Sequence, residues 1–501
     1  MKRFRITSLL MVMGALLLTN CQEKQKQESA EADHEIPVST SSEEALQNFN
    51  EGLALFDEGN GQKARPLFDK ALELDPNFVS AQWYRAWSAN SAKDWGENRD
   101  KFLAMRDQAN EAEAIIMDYF EADKKDDEEK ELETMKKLVS AYPKSARALV
   151  FLGDEYSGLE DHETGRSHYE KALELDEDFI PAINALGFSY MFSEPVDYEK
   201  CETYMAKAAA ILPNSSKTHI NLGDAYRAQN KLEDALASYK KATELDPEDE
   251  VTLSKAGHAN TFLGNYEEAR KNFQDSRAVS EFGTGAFGPE AFTYLYENGD
   301  YQKTLDFLSE FSAKIDGMDI PESNKTGAKA GCAGISVVIA THFKDSERLN
   351  EAMKSWKPLT TKQAEDVDSE SARLYTQANI LYWEGLAHVI EGEFEGASAK
   401  ADMIKTTLEP INDPNKLRPY HRIHARVNFD QGNYDKALEH LAEMDESNIY
   451  DKYWTAKAHM KAGNTDKALE MFKELSTWNF NNVIYALIRN ESIAIVESQN
   501  V

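Results

Sequence analysis

Residues 216–249 read SKTHINLGDAYRAQNKLEDALASYKKATELDPED. This stretch predicts two short helices joined by a turn. Gly and Ala recur where two helices would approach most closely, and an aromatic ring fills the gap to the next unit. A proline cannot continue the second helix and therefore ends the unit. The pattern predicts an antiparallel helical hairpin. Its defining positions are Leu222, Gly223, Tyr226, Ala235, Tyr239, Ala242 and Pro247.

The same order of small, aromatic and proline positions returns with a period of about 34 residues. It is present in 45–78, in 146–179 and, with fewer positions kept, in 250–283. The matching positions are Gly52, Leu55, Ala64, Phe68, Ala71 and Pro76; Leu152, Gly153, Tyr156, Gly165, Tyr169 and Ala172; and Gly257, Ala269 and Phe273. In these positions the chain resembles the tetratricopeptide-repeat family. The resemblance implies an all-α, right-handed solenoid of stacked hairpins that binds proteins or peptides.

A second short pattern marks the turns inside the hairpins. Its glycine suits the left-handed end of a helix, Asn or Asp begins the turn, and acids then favour the positive end of the next helix. Each occurrence predicts the elbow of a hairpin. The occurrences are GNGQKA (59–64), GNYEEA (264–269), GDYQKT (299–304), GEFEGA (392–397), GNYDKA (432–437) and GNTDKA (463–468).

About twelve hairpins are expected in all. We predict an N-terminal array over 43–357 and a degenerate C-terminal array over 372–501, closed by a helix at 482–497. Segment 358–371, PLTTKQAEDVDSES, is polar and acidic with little helical periodicity, so the break between the arrays is expected there. The charged run 121–138 is predicted to form one exposed helix.

The chain begins with a basic stretch and an apolar run whose length is typical of a secretory signal peptide. The run ends in Leu-Thr-Asn-Cys, which resembles the lipobox of bacterial lipoproteins, although Asn20 stands where a smaller residue is usual. The resemblance implies that residues 1–20 are removed and that Cys21 carries lipid.

The residues that follow Cys21 predict where in the cell envelope the protein is located. Gln22 stands where an inner-membrane retention signal has aspartate, so we predict an outer-membrane lipoprotein of the cell envelope, facing the periplasm or the surface. Residues 21–42 are polar and are predicted to be a disordered linker.

The composition is strongly acidic, with 88 Asp and Glu against 56 Lys and Arg and a net charge of -32. Such a surface repels phosphate backbones and anionic headgroups. Nucleic acid is therefore not an expected partner, and the lipid anchor is the only predicted membrane contact. The acids are interpreted as solvated helix faces; the alternative is an acidic groove for basic partners.

No motif in the sequence indicates catalysis. The patterns GxxxxGK[ST], HExxH and GxSxG are absent, so we predict no enzymatic activity, no cofactor and no metal. His421 and His424 lie three apart on a predicted helix and could face one metal ion, but no third ligand follows at a defined spacing. Cys201 and Cys332 are expected to be buried free thiols.

Ligands of tetratricopeptide arrays usually lie on the concave face, formed by first-helix residues that do not pack the hairpin. Lys217 and Arg227 are one possible anchor for a carboxylate on this face, and the alternative is that the whole set is solvated. The predicted partner-binding residues are Arg147, Asp154, Asn184, Phe188, Lys217, Asn221, Asp224, Arg227, Ser254 and His258; Val150 and Ile220 lie on the same face.

The repeats fill nearly all of the chain, so the leading hypothesis is a non-enzymatic, lipid-anchored scaffold that binds protein or peptide partners. The alternative is a carbohydrate-binding outer-membrane lipoprotein, because sugar sites need exposed aromatic platforms. The residues that could supply such platforms are Trp83, Trp87, Trp95, Trp356, Trp383, Trp454 and Trp478.

Overall fold

The computed structural model describes residues 36–280, 282–367, 369–445 and 447–498, so the predicted leader and Cys21 lie outside the described residues. The described chain forms 25 α-helices and no β-strand. Consecutive helices pack against each other in pairs, giving twelve hairpins followed by a closing helix. The predicted all-α solenoid of about twelve hairpins is confirmed.

The first six hairpins occupy the N-terminal half, with a short 3₁₀ turn (Arg106–Gln108) after α4. Their helices are α1 (Glu43–Asp57) with α2 (Gly61–Leu74), α3 (Val79–Trp87) with α4 (Ala92–Ala104), α5 (Glu111–Asp123) with α6 (Glu128–Ala141), α7 (Ala146–Gly158) with α8 (His162–Leu175), α9 (Ile180–Phe192) with α10 (Tyr198–Ile211), and α11 (Ser216–Ala228) with α12 (Leu232–Leu245).

The second six hairpins include the longest helices, and α25 (Val483–Ser498) closes the chain where the sequence predicts a closing helix. They are α13 (Glu250–Phe262) with α14 (Tyr266–Val279), α15 (Phe287–Asn298) with α16 (Tyr301–Ile315), α17 (Glu322–His342) with α18 (Ser346–Val367), α19 (Glu370–Glu391) with α20 (Phe394–Thr407), α21 (Arg418–Asp430) with α22 (Tyr434–Leu441), and α23 (Ile449–Ala462) with α24 (Thr465–Ser476).

A glycine facing an aromatic ring holds the two helices of each regular hairpin together. A Cβ on Gly223 would lie 2.4 Å from Cε1 of Tyr239, well inside van der Waals contact. The ring is fully buried, so it has no free space into which to move. The equivalent distances are 2.8 Å for Gly52 to Phe68, 2.5 Å for Gly153 to Tyr169 and 2.6 Å for Gly257 to Phe273.

The elbows have the backbone that the sequence predicts. All six elbow glycines have positive φ, from +73° to +87°. Four other elbows place a non-glycine residue in the same left-handed conformation, which costs more because of its Cβ. These residues are Asp126, Glu160, Asn230 and Lys344.

Contacts between hairpins that are far apart in sequence show where successive turns of the solenoid pack against each other. Helix α4 of hairpin 2 packs against α18 of hairpin 9. The hydroxyl of Ser371 in hairpin 10 donates to Asp126 at the elbow of hairpin 3, 2.5 Å away. Arg418 of hairpin 11 makes two hydrogen bonds of 2.9 and 3.0 Å to Glu160 at the elbow of hairpin 4. Each contact joins hairpins seven apart, so one superhelical turn contains about seven hairpins.

The predicted disordered linker is wrong for residues 36–42, which the structure holds against the first three hairpins. Ile36 is buried. The hydroxyl of Ser39 donates to Glu113 at 2.9 Å, and that of Thr40 donates to Asp75 at 2.6 Å. These partners lie in later helices, so the sequence of the segment alone does not show them.

Two further expectations about single segments are corrected. The charged run 121–138 contains a turn, because α5 ends at Asp123 and α6 begins at Glu128. The segment 358–371 is mostly helical, since α18 continues through Pro358 to Val367 and α19 starts at Glu370. The boundary between two arrays stays a prediction.

Two further features match the sequence. Cys201 and Cys332 are buried free thiols, and burial raises the pKa of each to about 12. Among the described residues, no helix combines the length and apolar character needed to cross a membrane.

Gly223→Ala should lower the free energy of unfolding by about 1–3 kcal/mol, because the added methyl group must displace the buried ring of Tyr239. Gly158→Ala is the matched control: it lies in α7 with no atom within 4 Å of its Cβ position. The control should be neutral or stabilising by about 0.5–1 kcal/mol. Urea unfolding followed by circular dichroism measures both; equal effects would contradict the close-approach argument.

Candidate functional site

The first helices of hairpins 1 to 5 surround a cavity of about 370 Å³, which we call the N-terminal cavity. Helices α1, α3, α5, α7 and α9 all contribute to its wall, so the surface that they share is the inner surface of the solenoid. Arg147 and Asp154 of the predicted set line it. The other lining residues are Phe56, Asp57, Tyr84, Trp87, Ile116, Tyr119, Met135, Val150, Phe151, Glu155, Pro181 and Ala185.

Aromatic rings make most of the N-terminal wall of the cavity. Trp87 stacks parallel to Phe56 at 6.3 Å between centroids and meets Phe151 edge-on at 5.4 Å. Tyr84 packs edge-on against Phe56 at 5.3 Å. The rings of this wall therefore pack against one another.

Arg147 is already paired. Its guanidinium donates to both carboxylate oxygens of Asp57, at 2.8 and 2.7 Å, and lies 5.3 Å from the ring centre of Phe179. The pair joins hairpins 1 and 4 across the cavity. Arg147 therefore stabilises the cavity wall, and its charge is already balanced by Asp57.

Unlike Asp57, three other carboxylates beside the cavity have no lysine or arginine partner in the described chain. No ion pair in the described chain involves Glu131, Asp154 or Glu155. Burial raises the pKa of Glu131 to about 8 and that of Glu155 to about 7, and neighbouring carboxylates raise both further. Asp154 is exposed on this surface; desolvation by the surrounding chain raises its pKa, against the hydrogen bond that it accepts from Tyr169 at 2.8 Å. We call these three residues the acidic cluster.

Farther along, the chain covers its own inner surface with residues 478–498. The ring of Phe480 lies 5.1 Å from that of Phe192, and the guanidinium of Arg227 lies 4.9 Å from the centre of Phe480. The amide of Asn490 donates to the carbonyl oxygens of Leu295 and Tyr296, both at 3.1 Å. Helix α25 packs against α15 and α17. This part of the groove is occupied by the C-terminal segment.

Asp224 and Arg227, two predicted groove residues, belong to a buried charge network. Arg227 donates to Asp224 at 2.8 Å, Tyr239 donates at 2.6 Å, and the ammonium of Lys255 donates at 2.5 Å. Burial alone would raise the pKa of Asp224, but Lys255 and Arg227 outweigh it and hold the pKa well below its usual range. The network links the sixth and seventh hairpins.

The remaining predicted residues are half-buried, and several are engaged within the chain. Lys217 donates to Asp249 at 2.5 Å, and Asn221 donates to Asn184 at 3.3 Å. The other contacts are Ser254 to the carbonyl of Val251 at 2.9 Å, Phe188 stacked on Phe192 at 6.4 Å, and His258 edge-on to Phe273 at 5.2 Å. That any of the ten residues contacts a partner stays a prediction.

Sequence reasoning named Trp87 only as a possible sugar platform, and it missed the rest of the aromatic wall and Glu155. Phe56 and Trp87 each lie in the last turn of a first helix, a position that the hairpin pattern leaves unassigned. This shared helical position is the signal that could have placed both rings on the inner surface.

One described cluster has three ligand atoms at the spacing of a metal site. His388, Glu391 and Glu393, at the elbow of hairpin 10, offer atoms that all lie within 4.8 Å of one another. Nδ1 of His388 is 2.7 Å from Glu393, and both glutamates are exposed. A hydrogen bond between His388 and Glu393 at a solvated elbow accounts for this geometry.

The fold and the inner surface define an α-solenoid of helical hairpins. Comparison with known families gives the repeat type: residues 223–261 match a "TPR repeat", and residues 49–113, 146–179 and 452–477 each match a "Tetratricopeptide repeat". The chain therefore contains tetratricopeptide repeats near both ends. Proteins built from these repeats generally bind protein or peptide partners and are generally non-enzymatic.

Similar proteins cover only parts of the chain. Anaphase-promoting complex subunit 3 of Schizosaccharomyces pombe is 21% identical over 236 residues, which are 46% of this chain and 34% of that protein. The STIP1 homolog of Dictyostelium discoideum is 30% identical over 108 residues, 21% of this chain and 19% of that protein. The chain thus spans about a third of the first relative and about a fifth of the second.

Two solved structures are similar in part. MamA from Desulfovibrio magneticus RS-1 is 19% identical, covers 34% of this chain and 96% of its own, and has a TM-score of 0.29. YrrB, described as a TPR protein with an unusual peptide-binding site, is 22% identical, covers 36% of this chain and 91% of its own, and has a TM-score of 0.27.

Glu155→Gln should stabilise the protein at pH 8 and change it little at pH 5. The folded pKa of Glu155, about 7, is above the ordinary value of 4.5. The stability that the protonated form provides is therefore present below pH 4.5 and lost as the pH rises through 7. Allowing for partial exposure, the expected gain at pH 8 is about 1 kcal/mol.

Urea unfolding at the two pH values measures this gain. The control is Glu174→Gln on the exposed face of α8, which should give no such gain at pH 8. A gain at pH 5 as large as that at pH 8 would show that the charge of Glu155 is not the cause.

Proposed function

We propose that the protein is a non-enzymatic, lipid-anchored scaffold of the bacterial cell envelope that binds a protein segment in the N-terminal cavity. The observation that carries the proposal is the cavity itself, an open, aromatic-walled space on the inner surface of a tetratricopeptide array. Farther along, the inner surface is covered by residues 478–498 and its charges are paired. The cavity is therefore the part of the predicted groove that has room for another molecule.

The chemistry of the cavity favours a basic side chain as the occupant. Carboxylates of Asp154 and Glu155 line the space without a lysine or arginine partner, while Arg147 is held by Asp57. Aromatic faces such as that of Trp87 attract an ammonium or guanidinium group. Their apolar surface also packs against the methylene stem of a lysine or arginine. A partner segment that carries a lysine or arginine therefore brings a positive charge to the carboxylates and an apolar stem to the aromatic rings.

The carbohydrate alternative is less well supported. Sugar binding needs an exposed aromatic platform; all seven tryptophans are described, and only the half-buried Trp87 lines the N-terminal cavity. Trp83 and Trp356 are buried, and the other five are half-buried against apolar clusters. Protein binding is therefore the function that we propose.

The envelope location rests on the sequence of the leader. The basic start, the apolar run and the cysteine at position 21 are the features of a lipoprotein signal. The absence of an aspartate after Cys21 favours the outer membrane. In this proposal the lipid at Cys21 holds the array at the membrane, and the residues from Ile36 onward begin the fold directly.

Peptide binding tests the cavity. On an array of extended peptides that differ at one central residue, the full chain should prefer Lys and Arg over Leu and Glu. The double variant Asp154→Asn, Glu155→Gln should weaken binding of the preferred peptide by about tenfold, or ~1.4 kcal/mol, in fluorescence anisotropy. The matched control Glu174→Gln should bind like the unaltered protein.

Two results would oppose this assignment of the cavity. One is an array without enrichment of basic residues. The other is unchanged affinity in the double variant, with helicity by circular dichroism showing that the variant is folded.

Cys21→Ser should abolish incorporation of radiolabelled palmitate and release the protein from the membrane fraction, because a cysteine thiol is needed for lipidation. Cys201→Ser is the control, since Cys201 is buried within hairpin 5 and should leave both properties unchanged. Labelling in the host bacterium followed by membrane fractionation measures both. A labelled, membrane-bound Cys21→Ser protein would exclude the proposed anchor.

A further inference from the structure

Four arginines of the described chain contact the same two kinds of group. Each pairs with a carboxylate and has its guanidinium over an aromatic ring, as Arg147 does with Asp57 and Phe179. We call a carboxylate and a ring that contact one cation a ring–carboxylate site. The other three sites, with the distance from guanidinium to ring centre, are Arg227 with Asp224 and Phe480 at 4.9 Å, Arg270 with Glu297 and Tyr294 at 5.1 Å, and Arg277 with Glu290 and Phe311 at 5.3 Å.

The identity of the cation at a ring–carboxylate site follows its exposure. The four arginine side chains are between 5% and 17% exposed. In the described chain three lysines also pair with a carboxylate and lie over a ring, but their side chains are 26% to 58% exposed; they are Lys200, Lys231 and Lys457. A guanidinium is more weakly hydrated than an ammonium, so it loses less when it leaves water. Arginine therefore fills the sites that hold the cation away from solvent.

The N-terminal cavity has the carboxylate and the rings of such a site, but no cation pairs with its Glu155 among the described residues. Glu155 lines the cavity together with half-buried rings that include those of Trp87 and Phe151. Arg147 is the only lysine or arginine among the lining residues, and Asp57 already balances its charge. Five helices form the wall, so a cation that paired with Glu155 would be largely removed from water.

We propose that the N-terminal cavity selects an arginine of the partner segment over a lysine, with the guanidinium paired to Glu155 and packed on the aromatic wall. The inference rests on the proposed function, which leaves the choice between the two basic side chains open. A planar guanidinium can make both contacts at once, because its edge donates to a carboxylate while its face lies on a ring. A lysine ammonium is a compact, strongly hydrated charge and gives up more on entering the cavity.

A tyrosine hydroxyl is the competing partner of Glu155. Burial raises the pKa of Glu155, and a hydrogen bond from Tyr119 opposes that rise. At two other sites, however, a carboxylate that accepts from a tyrosine also pairs with a cation. These carboxylates are Asp224, which contacts Tyr239 and Arg227, and Glu491, which contacts Tyr453 and Lys457. The tyrosine at these sites accompanies the cation and does not replace it.

Fluorescence anisotropy with the full chain at pH 8, above the pKa of about 7 of Glu155, tests the proposal. Four peptides differ only at the central residue, which is arginine, lysine, leucine or citrulline, a residue with the shape of arginine but no charge. The arginine peptide should bind about tenfold more tightly than the lysine peptide, and the other two should bind more weakly than arginine. Glu155→Gln should weaken binding of the arginine peptide about fivefold. Phe151→Leu, which removes a ring but keeps an apolar side chain, should weaken it about threefold.

The matched controls are Glu174→Gln and Phe343→Leu, which make the same changes at exposed positions outside the cavity and should leave binding unchanged. Circular dichroism verifies that each variant is folded. Equal binding of the arginine and lysine peptides, both tighter than leucine, would overturn this inference and leave the proposed function standing. If neither bound more tightly than leucine, both would fail. Citrulline binding as tightly as arginine, or unchanged affinity for the arginine peptide in either folded cavity variant, would also overturn the inference.

Discussion

The structure depends on the close approach of two helices at a small residue opposite an aromatic ring. Where Gly223 faces Tyr239, the absence of a Cβ lets the ring lie flat against the first helix, and the same ring then supports the next layer. A single hairpin leaves its second apolar face open, so each layer is stable only with neighbours. This explains why the repeats continue along the chain, and why the last hairpin is followed by α25, which buries Tyr485 and Ile488.

Features set by local backbone chemistry could be predicted from the sequence, whereas features set by distant partners could not. The elbow glycines were readable because only a residue without Cβ adopts positive φ at little cost. Glu160 adopts the same left-handed conformation at a higher cost, because it has a Cβ. Its carboxylate accepts a hydrogen bond from Arg418 in a distant hairpin. Residues 36–42 looked like a linker for the same reason: their polar side chains bind Glu113 and Asp75, which no local pattern indicates.

The candidate site shows the same division. Helical periodicity predicted that Arg147 and Asp154 share one face, because phase along a helix is a local property, and both residues line the cavity. It could not show that Asp57 neutralises Arg147 or that Lys255 reaches Asp224, since these pairs join different hairpins. Nor could it show that residues 478–498 return to cover the groove. A predicted groove is therefore a set of candidate positions, and only the assembled solenoid separates open residues from those used for its own packing.

The contrast between two groups of acids supports the proposal that the cavity binds a partner. Asp224 is deeply buried, and the chain supplies it with Lys255, Arg227 and Tyr239, so it stays charged. Asp154 and Glu155 lie beside a cavity, yet the chain gives them only tyrosine hydroxyls, and their pKa values rise toward neutrality. Local departures from a self-consistent design are expected at functional sites, where stability is given up for binding. In the proposed complex, a basic side chain entering the cavity would relieve the repulsion between these carboxylates and favour their charged forms, which would link binding to pH.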